Sequence, residues 1–294
     1  MSLTAVVLMA YGSPERLEDV PAYYEDIRGG QPIRPELLAD LVERYRRLGI
    51  EEESPLNAVT EETRAALEVE LELPVFTGMK HWTPRIAEAV ERALAGGAET
   101  IVGLVLAPHY SRLSIAGYRR QLEAALAGRA ELRFVDSWHD HPGFIDFLAG
   151  RVRGIAAHVV FTAHSLPARI LNEGDPYEEQ LLETAELVAE RAGLYTWSFA
   201  YQSESDTGEP WLGPDILDHL ETLHGRGIEH VLACPIGFVA DHLEIKWDLD
   251  HEAALGAAEL GLRFGRIEMP NAEPAFVAVL SDLVRRALPV PSQA

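Results

Sequence analysis

Short apolar runs alternate with amphipathic stretches along most of the chain. The apolar runs lie at residues 5–10, 73–77, 100–107, 133–135, 159–162 and 231–240. Apolar residues recur at helical spacing in segments between them, at residues 37–48, from residue 60, and at 84–94 and 119–126. Near-continuous apolar runs are typical of buried parallel strands. Strands that alternate with helices predict a doubly wound α/β fold.

The pattern repeats once. Residues 159–167 (VVFTAHSLP) echo residues 6–14 (VVLMAYGSP), and a later Trp–Pro, helix, Gly and strand series at residues 211–232 echoes residues 82–102. Matched landmarks in the same order indicate two similar halves. We therefore expect two Rossmann-like domains, each with a parallel four-stranded sheet flanked by helices, and an active cleft between them. The predicted domains are residues 1–153 and 154–272, with a final helix within 273–294 that packs back on the first domain.

Composition narrows the range of partners. The chain has 294 residues with 25 basic and 47 acidic side chains, a formal net charge of −22. That charge argues against nucleic acid or an anionic membrane surface as the main partner. The single cysteine, Cys234, excludes an intramolecular disulfide and any multi-cysteine metal site. We see no signal peptide and no membrane span, so we expect a cytoplasmic protein.

The last apolar run leads into a row of acidic residues. Asp241, Glu244, Asp248 and Glu252 follow it at spacings of three, four and four, which would place four carboxylates on one face of an α-helix. Such a row is either a solvated face that suits the helix dipole, or a site where protons or metal ions neutralise the charge. Its place after a buried strand favours a site, because ligands bind at the carboxyl ends of parallel strands.

Other polar side chains follow strands as well. His164 stands at the end of the run at 159–162, where a histidine near a carboxylate can act as a general base or bind a first-row metal ion. Ser165 beside it lacks the G-x-S-x-G context of a serine hydrolase, and no phosphate-binding glycine motif follows any strand. The side chains that we expect at the strand exits are Tyr11, Lys80, His81, His109, His164, Gln202, Ser203 and the acidic row.

Several short motifs resemble the ferrochelatase family. They are residues 9–14 (MAYGSP), 54–56 (SPL), 162–167 (TAHSLP), 174–177 (GDPY), 202–204 (QSE), 211–214 (WLGP) and 237–244 (GFVADHLE). The match runs in order from about residue 5 to 288. The resemblance implies the two-domain chelatase fold and an enzyme, a lyase that inserts Fe(II) into a porphyrin in haem biosynthesis.

The resemblance also implies roles for the acidic row. His164 and Glu244 would form the catalytic pair and contact the metal. Asp248 and Glu252 would continue an acidic path towards solvent and, with Arg44, hold an outer divalent ion. No cofactor is expected to stay bound, and Fe(II) is a substrate.

Porphyrin contacts follow from the same resemblance. Tyr11 would face the metal from the other side of the ring, as a candidate axial ligand of product iron. The residues expected to bind the porphyrin are Tyr11, Arg28, Ser54, Lys80, His81, Ser203 and Trp211.

Two features separate the chain from other members of the family. Many relatives carry two consecutive arginines where this chain has Arg28-Gly29, and a chain with one cysteine cannot hold an iron–sulfur cluster. The chain looks like the short bacterial form, expected to be a monomer that uses coproporphyrin III. Protoporphyrin IX as substrate, a cobalt or nickel chelatase of the same fold, and a non-catalytic tetrapyrrole carrier remain as alternatives.

Overall fold

A computed structural model describes residues 3–49, 55–205 and 207–288. The strands are β1 (Thr4–Ala10), β2 (Val75–Met79), β3 (Thr100–Val105), β4 (Glu131–Val135), β5 (His158–His164), β6 (Trp197–Gln202), β7 (His230–Pro235) and β8 (Arg263–Arg266). The α-helices are α1 (Val20–Ile27), α2 (Pro35–Arg47), α3 (Pro55–Leu71), α4 (Ile86–Ala95), α5 (Ile115–Leu126), α6 (Pro142–Val152), α7 (Tyr177–Ala192), α8 (Ile216–Gly225), α9 (Ala254–Glu259) and α10 (Pro274–Ala287). A π-helix, Ile245–Ala253, runs directly into α9.

Two four-stranded parallel sheets carry the fold. One has the strand order β2-β1-β3-β4 and the other β6-β5-β7-β8, so the two sheets share one topology. The central strands β1, β3, β5 and β7 are largely buried, as expected for apolar runs covered on both faces. The predicted fold class is therefore confirmed, and the echoed segments at residues 6–14 and 159–167 begin in corresponding strands.

The chain divides into two compact units. The first comprises the residues up to Ala107, Arg112–Trp138 and the residues from Asn271 onwards, and the second comprises Pro108–Ser111 and His139–Pro270. This grouping joins α6, which packs on α7, to the second unit, whereas the sequence analysis assigned that helix to the first domain. Within the first unit, α10 packs on α3 and β4.

Individual boundaries differ from the predictions at the ends of apolar runs. β7 ends at Pro235, although the run continues to residue 240, because the chain turns after Pro235 and brings Gly237 against Ala163 of β5. Cys234 lies fully buried in β7 as a free thiol, and burial raises the pKa of that thiol. The predicted strand at residues 73–77 is β2, shifted two residues towards the carboxyl terminus.

Candidate functional site

His164 is the last residue of β5 and pairs with Glu244. Its Nε2 lies 3.5 Å from Glu244 Oε1, and its Nδ1–H donates a hydrogen bond to the Ser165 carbonyl. The Tyr177 hydroxyl donates to the His164 carbonyl at 2.9 Å, which fixes the end of the strand. The imidazole therefore has one nitrogen held by the backbone and the other directed at a carboxylate.

A close backbone approach brings Glu244 to this position. A Cβ on Gly237 would lie 2.7 Å from the Cβ of Ala163, so only glycine lets the loop after β7 pass so close to β5. The Gly237 amide donates to the Thr162 carbonyl at 3.3 Å. The loop then continues to Glu244, whose carbonyl accepts a hydrogen bond from Gln202 Nε2 at 3.4 Å.

His242 is a second histidine on the same carboxylate. Its Nε2 lies 3.5 Å from Glu244 Oε2, and its Nδ1–H donates to the Ala240 carbonyl at 2.9 Å. Each carboxylate oxygen of Glu244 thus faces one imidazole, which suits a group that exchanges protons or a metal ion with its neighbours.

The segment after Glu244 is a π-helix and not the predicted α-helix. Asp248 lies within it, only 8% exposed, and accepts a hydrogen bond from the Ser203 hydroxyl. Ser203 follows β6 with a φ of 64°, a left-handed conformation that is uncommon outside glycine. π-helical turns of this kind occur frequently at functional sites.

Asp241 does not belong to the acidic row. It precedes the helical segment, and its Oδ1 accepts a hydrogen bond from Arg266 Nη2 at 2.8 Å. Arg266 also binds Asp250 of the π-helix through Nε, at 2.7 Å. The predicted stripe of four carboxylates on one α-helical face was wrong, because Asp241 forms part of an ion-pair clamp that fastens the π-helix to β8.

The remaining carboxylates shift one another's protonation. Burial raises the pKa of Asp248 to about 7, with the negative charges of Glu244 and Glu252 adding to the effect and the Ser203 hydrogen bond opposing it. Burial lowers the pKa of His164, but the Glu244 carboxylate, the hydrogen bond to the Ser165 carbonyl and the charge of Asp248 together outweigh it, and the net result is a pKa of about 9. Burial raises the pKa of Glu244, but His164 and His242 together outweigh this effect, and the pKa lies well below the usual range. At neutral pH the pair is therefore an ion pair, and Asp248 titrates beside it.

Aromatic rings surround His164. The ring centroid of Trp211 and that of Phe238 each lie 6.4 Å from the imidazole. Trp211 Nε1 donates to Thr207 Oγ1 at 2.9 Å, and a bridge to Pro167 fixes its backbone. Flat apolar surfaces beside a charged pair are suited to a large aromatic ligand.

In the first unit, Tyr11, Lys80 and His81 lie at adjacent strand ends. The Lys80 amide donates to the Ala10 carbonyl and the His81 amide to the Tyr11 carbonyl, both at 2.9 Å. The rings of Tyr11 and His81 are 4.6 Å apart, and Tyr11 is 39% exposed. These three predicted residues are therefore brought together.

The Lys80 amine is enclosed. Its Nζ lies 4.9 Å from the ring centroid of Tyr118 and 5.7 Å from that of Tyr11, with the Ser114 carbonyl at 3.5 Å. Burial lowers the pKa of Lys80 to about 8, and the charge of Arg120 adds to the shift.

His81 is bound to a carboxylate that the sequence analysis did not single out. Its Nδ1 lies 2.9 Å from Asp26 Oδ2, while Arg85 Nη2 lies 2.9 Å from Asp26 Oδ1. Burial raises the pKa of Asp26, but the hydrogen bonds from Arg85 and His81 outweigh it and the net pKa is lowered. Burial lowers the pKa of His81, and Asp26 opposes that effect in part.

The other predicted residues are more dispersed. Arg28 is exposed at the end of α1, Arg44 pairs with Asp40 at 2.8 Å, and Glu252 is half-buried. Ser54 lies outside the described residues. His109 is 3% exposed, and its Nε2 is bonded to a threonine of α7 at 2.9 Å, so it is a packed residue of the second unit.

The described residues contain neither a cluster of potential metal ligands nor a membrane-spanning helix. In residues 3–49, 55–205 and 207–288, no group of three or more His, Cys, Asp or Glu side chains is arranged to hold a metal ion. Over the same ranges, every helix is too short or too polar to cross a lipid bilayer.

Sequence reasoning missed several partners of the site. His242 could have been found, since it stands two residues before Glu244 in the quoted motif. Asp26 and Arg266 are distant in sequence from the side chains they hold, and no spacing rule points to them. Tyr177, which holds the His164 carbonyl, stands in the quoted motif at residues 174–177.

Comparisons with known proteins bear on the family and the fold of the chain. The family model described as Ferrochelatase matches residues 3–288. A ferrochelatase of Herpetosiphon aurantiacus is 43% identical over 300 residues, which cover 96% of this chain and 98% of that protein. The coproporphyrin III ferrochelatase of Halalkalibacterium halodurans is 40% identical over 301 residues, which cover 96% of each chain. A solved structure of SirB from Bacillus subtilis with Fe3+ matches with a TM-score of 0.63 at 10% identity, covering 97% of this chain and 95% of that one, which concerns the fold alone.

Proposed function

The chain belongs to the ferrochelatase family, whose reaction is the insertion of iron into a porphyrin in haem biosynthesis, and on that premise we propose that its substrate is coproporphyrin III and its product coproheme. The resemblance drawn from the sequence motifs is confirmed. The coproporphyrin assignment is supported by relatives named coproporphyrin III ferrochelatase, at 38–40% identity. The observation that carries the proposed chemistry is the contact between His164 and Glu244.

Metal insertion removes two pyrrole N–H protons and delivers a dehydrated ion to the ring centre. His164 and Glu244 supply one nitrogen and two oxygen ligands that suit a first-row ion, and the same pair can accept protons. Because the imidazole is protonated at neutral pH, Fe(II) capture must displace that proton. Iron binding and proton removal are therefore coupled at one pair of side chains.

Asp248 provides the next proton acceptor. Its pKa of about 7 lets it take up and release protons near neutral pH, and the Ser203 hydroxyl holds it in place. The negative charge of Glu252 raises the pKa of Asp248 further. We assign these carboxylates to a route for protons or ions, and an outer divalent ion held by Asp248 and Glu252 remains part of the proposal.

The first-unit residues would bind the porphyrin. Coproporphyrin carries four carboxylates, and Lys80 and the exposed Arg28 are the cations proposed to meet them. Tyr11 is the proposed axial ligand of product iron. The further contacts proposed from the resemblance are His81, Ser54, Ser203 and Trp211.

Anaerobic turnover tests the proposal. The purified protein is given Fe(II) with coproporphyrin III and, separately, with protoporphyrin IX, and loss of the free-base absorbance is followed. Faster metallation of coproporphyrin supports the assignment. Faster metallation of protoporphyrin IX overturns the substrate and leaves the reaction class intact.

The alternatives give distinct outcomes in the same assay. Insertion of Co(II) or Ni(II) with no insertion of Fe(II) would indicate a chelatase of different metal specificity. Porphyrin binding without turnover of any metal would indicate a carrier. A monomeric state and the absence of a permanently bound cofactor are carried over from the resemblance and are proposed with it. The cytoplasmic location expected from the sequence analysis is proposed as well.

A further inference from the structure

Asp26 is held between a guanidinium and an imidazole of its own unit. Its Oδ1 lies 2.9 Å from Arg85 Nη2, its Oδ2 lies 3.1 Å from Arg85 Nη1, and the same Oδ2 lies 2.9 Å from His81 Nδ1. Arg85 Nη1 also donates to the Lys80 carbonyl at 3.3 Å. The guanidinium therefore fixes the carboxylate from one side while the imidazole approaches from the other.

This contact decides which ring nitrogen of His81 carries the proton. An ionised carboxylate only accepts hydrogen bonds, so the nitrogen that faces Asp26 must be the N–H. In the neutral imidazole Nε2 then bears a lone pair and can only accept. Among the residues that the structure describes, no donor is bonded to this Nε2, although the side chain is only 12% exposed.

We propose that Asp26 is a positioning residue that holds His81 in the Nδ1–H tautomer, so that Nε2 is presented to the substrate as a hydrogen-bond and proton acceptor. The inference rests on the proposed porphyrin metallation, and it assigns different roles to Lys80 and His81. Neutral His81 cannot donate to a porphyrin carboxylate, so that contact falls to Lys80, and His81 is suited to a pyrrole N–H.

The tautomer can be measured without any substrate. Protein with ring-15N-labelled histidine is studied by two-bond 1H–15N correlation at pH 8.5, above the range in which an ordinary imidazole titrates. His81 is assigned from the signal lost in His81→Gln. The expected pattern is protonated Nδ1 and unprotonated Nε2. Protonated Nε2 in the wild-type protein overturns the inference.

Asp26→Asn tests the cause. Arg85 contacts both carboxylate oxygens, but its shorter contact is to Oδ1, so the amide oxygen stays there and the amide nitrogen takes the place of Oδ2 beside His81 Nδ1. Nδ1 must then accept a hydrogen bond, and the ring switches to the Nε2–H form. Asp136→Asn is the matched control, because it removes a carboxylate from the exposed pair with Arg119 in the same unit. We expect the switch in Asp26→Asn only, with kcat for metallation reduced roughly 10- to 100-fold, the range for removing the partner that orients a working histidine.

The kinetic pattern separates positioning from general damage. The porphyrin dissociation constant of Asp26→Asn should stay within about twofold of the wild-type value, because an orienting group acts mainly on kcat. An unchanged tautomer in Asp26→Asn, or wild-type kcat despite a switched tautomer, refutes the proposal. If the wild-type protein metallates no porphyrin, the proposed function fails, whereas the tautomer result stands on its own.

Discussion

Replacing Glu244 with glutamine tests whether this carboxylate controls the protonation of His164. The two side chains lie 3.5 Å apart, and unit charges at that distance attract by about 5 kcal/mol at an effective dielectric of about 20. The side chains are 30% and 36% exposed, so solvent screening reduces this to about 3 kcal/mol, or roughly 2 pKa units. We therefore expect Glu244→Gln to lower the pKa of His164 from about 9 to roughly 7.

A histidine NMR titration measures this shift directly. Glu183→Gln is the matched control, since it removes the carboxylate 2.9 Å from His139, another His–Glu pair of the second unit. The control should leave the His164 titration unchanged. A pKa of His164 that stays near 9 in Glu244→Gln would refute the electrostatic account of the pair.

The same shift predicts the pH dependence of activity. In the proposed role of His164, Fe(II) binds the unprotonated imidazole, so metallation by the wild-type protein should accelerate as pH rises towards the His164 pKa of about 9. Glu244→Gln lacks the proposed catalytic carboxylate, so its rate should be lower overall, and its residual metallation should accelerate at lower pH. A wild-type rate that falls steadily from pH 7 to 9 would contradict this sequence of events.

Two further variants probe the support of the site. Asp248→Asn removes a carboxyl whose pKa of about 7 exceeds its unfolded value, so the folded wild-type protein holds a proton that the unfolded chain releases between about pH 4 and 7. As the pH rises over that range, the unfolding free energy of the variant, measured by urea titration, should therefore increase by about 4 kcal/mol relative to that of the wild type. A difference between the two proteins that does not change with pH would contradict this. Gly237→Ala places a Cβ 2.7 Å from that of Ala163 and should cost about 1–3 kcal/mol and reduce kcat. The control is Gly150→Ala in α6, where an added Cβ meets nothing within 4 Å and should be neutral or stabilising by up to about 1 kcal/mol. Equal effects of the two variants on stability would contradict the steric argument for Gly237.

The fold was largely predictable because the buried strands of a parallel sheet can be recognised in the sequence as apolar runs. Strands covered on both faces must be apolar throughout, and β1, β3, β5 and β7 all appear as apolar runs in the sequence. The repeat of landmarks predicted two similar halves, and the two sheets have the same strand order. Strand ends were less predictable, since the run at residues 231–240 contains both β7 and the loop that returns past β5.

The candidate site was only partly predictable. A carboxylate spacing of three or four residues is compatible with an α-helix. The sequence of residues 241–252 predicted neither the π-helix nor the ion pair between Asp241 and Arg266. The contact of His164 with Glu244 came from motif resemblance, because periodicity gives no distance between residues so far apart in sequence. Asp26 was missed for the same reason, since its role depends on tertiary contacts with Arg85 and His81.

His164→Ala, studied by anaerobic metallation and porphyrin titration, tests the central claim most directly. The matched control is His158→Ala, at the opposite end of β5, which loses only a hydrogen bond to Ser198. The account predicts that His164→Ala binds coproporphyrin III with near wild-type affinity and inserts no Fe(II), while His158→Ala remains active. Insertion at the normal rate by His164→Ala would show that the His164–Glu244 pair is not where the metal and the protons are exchanged.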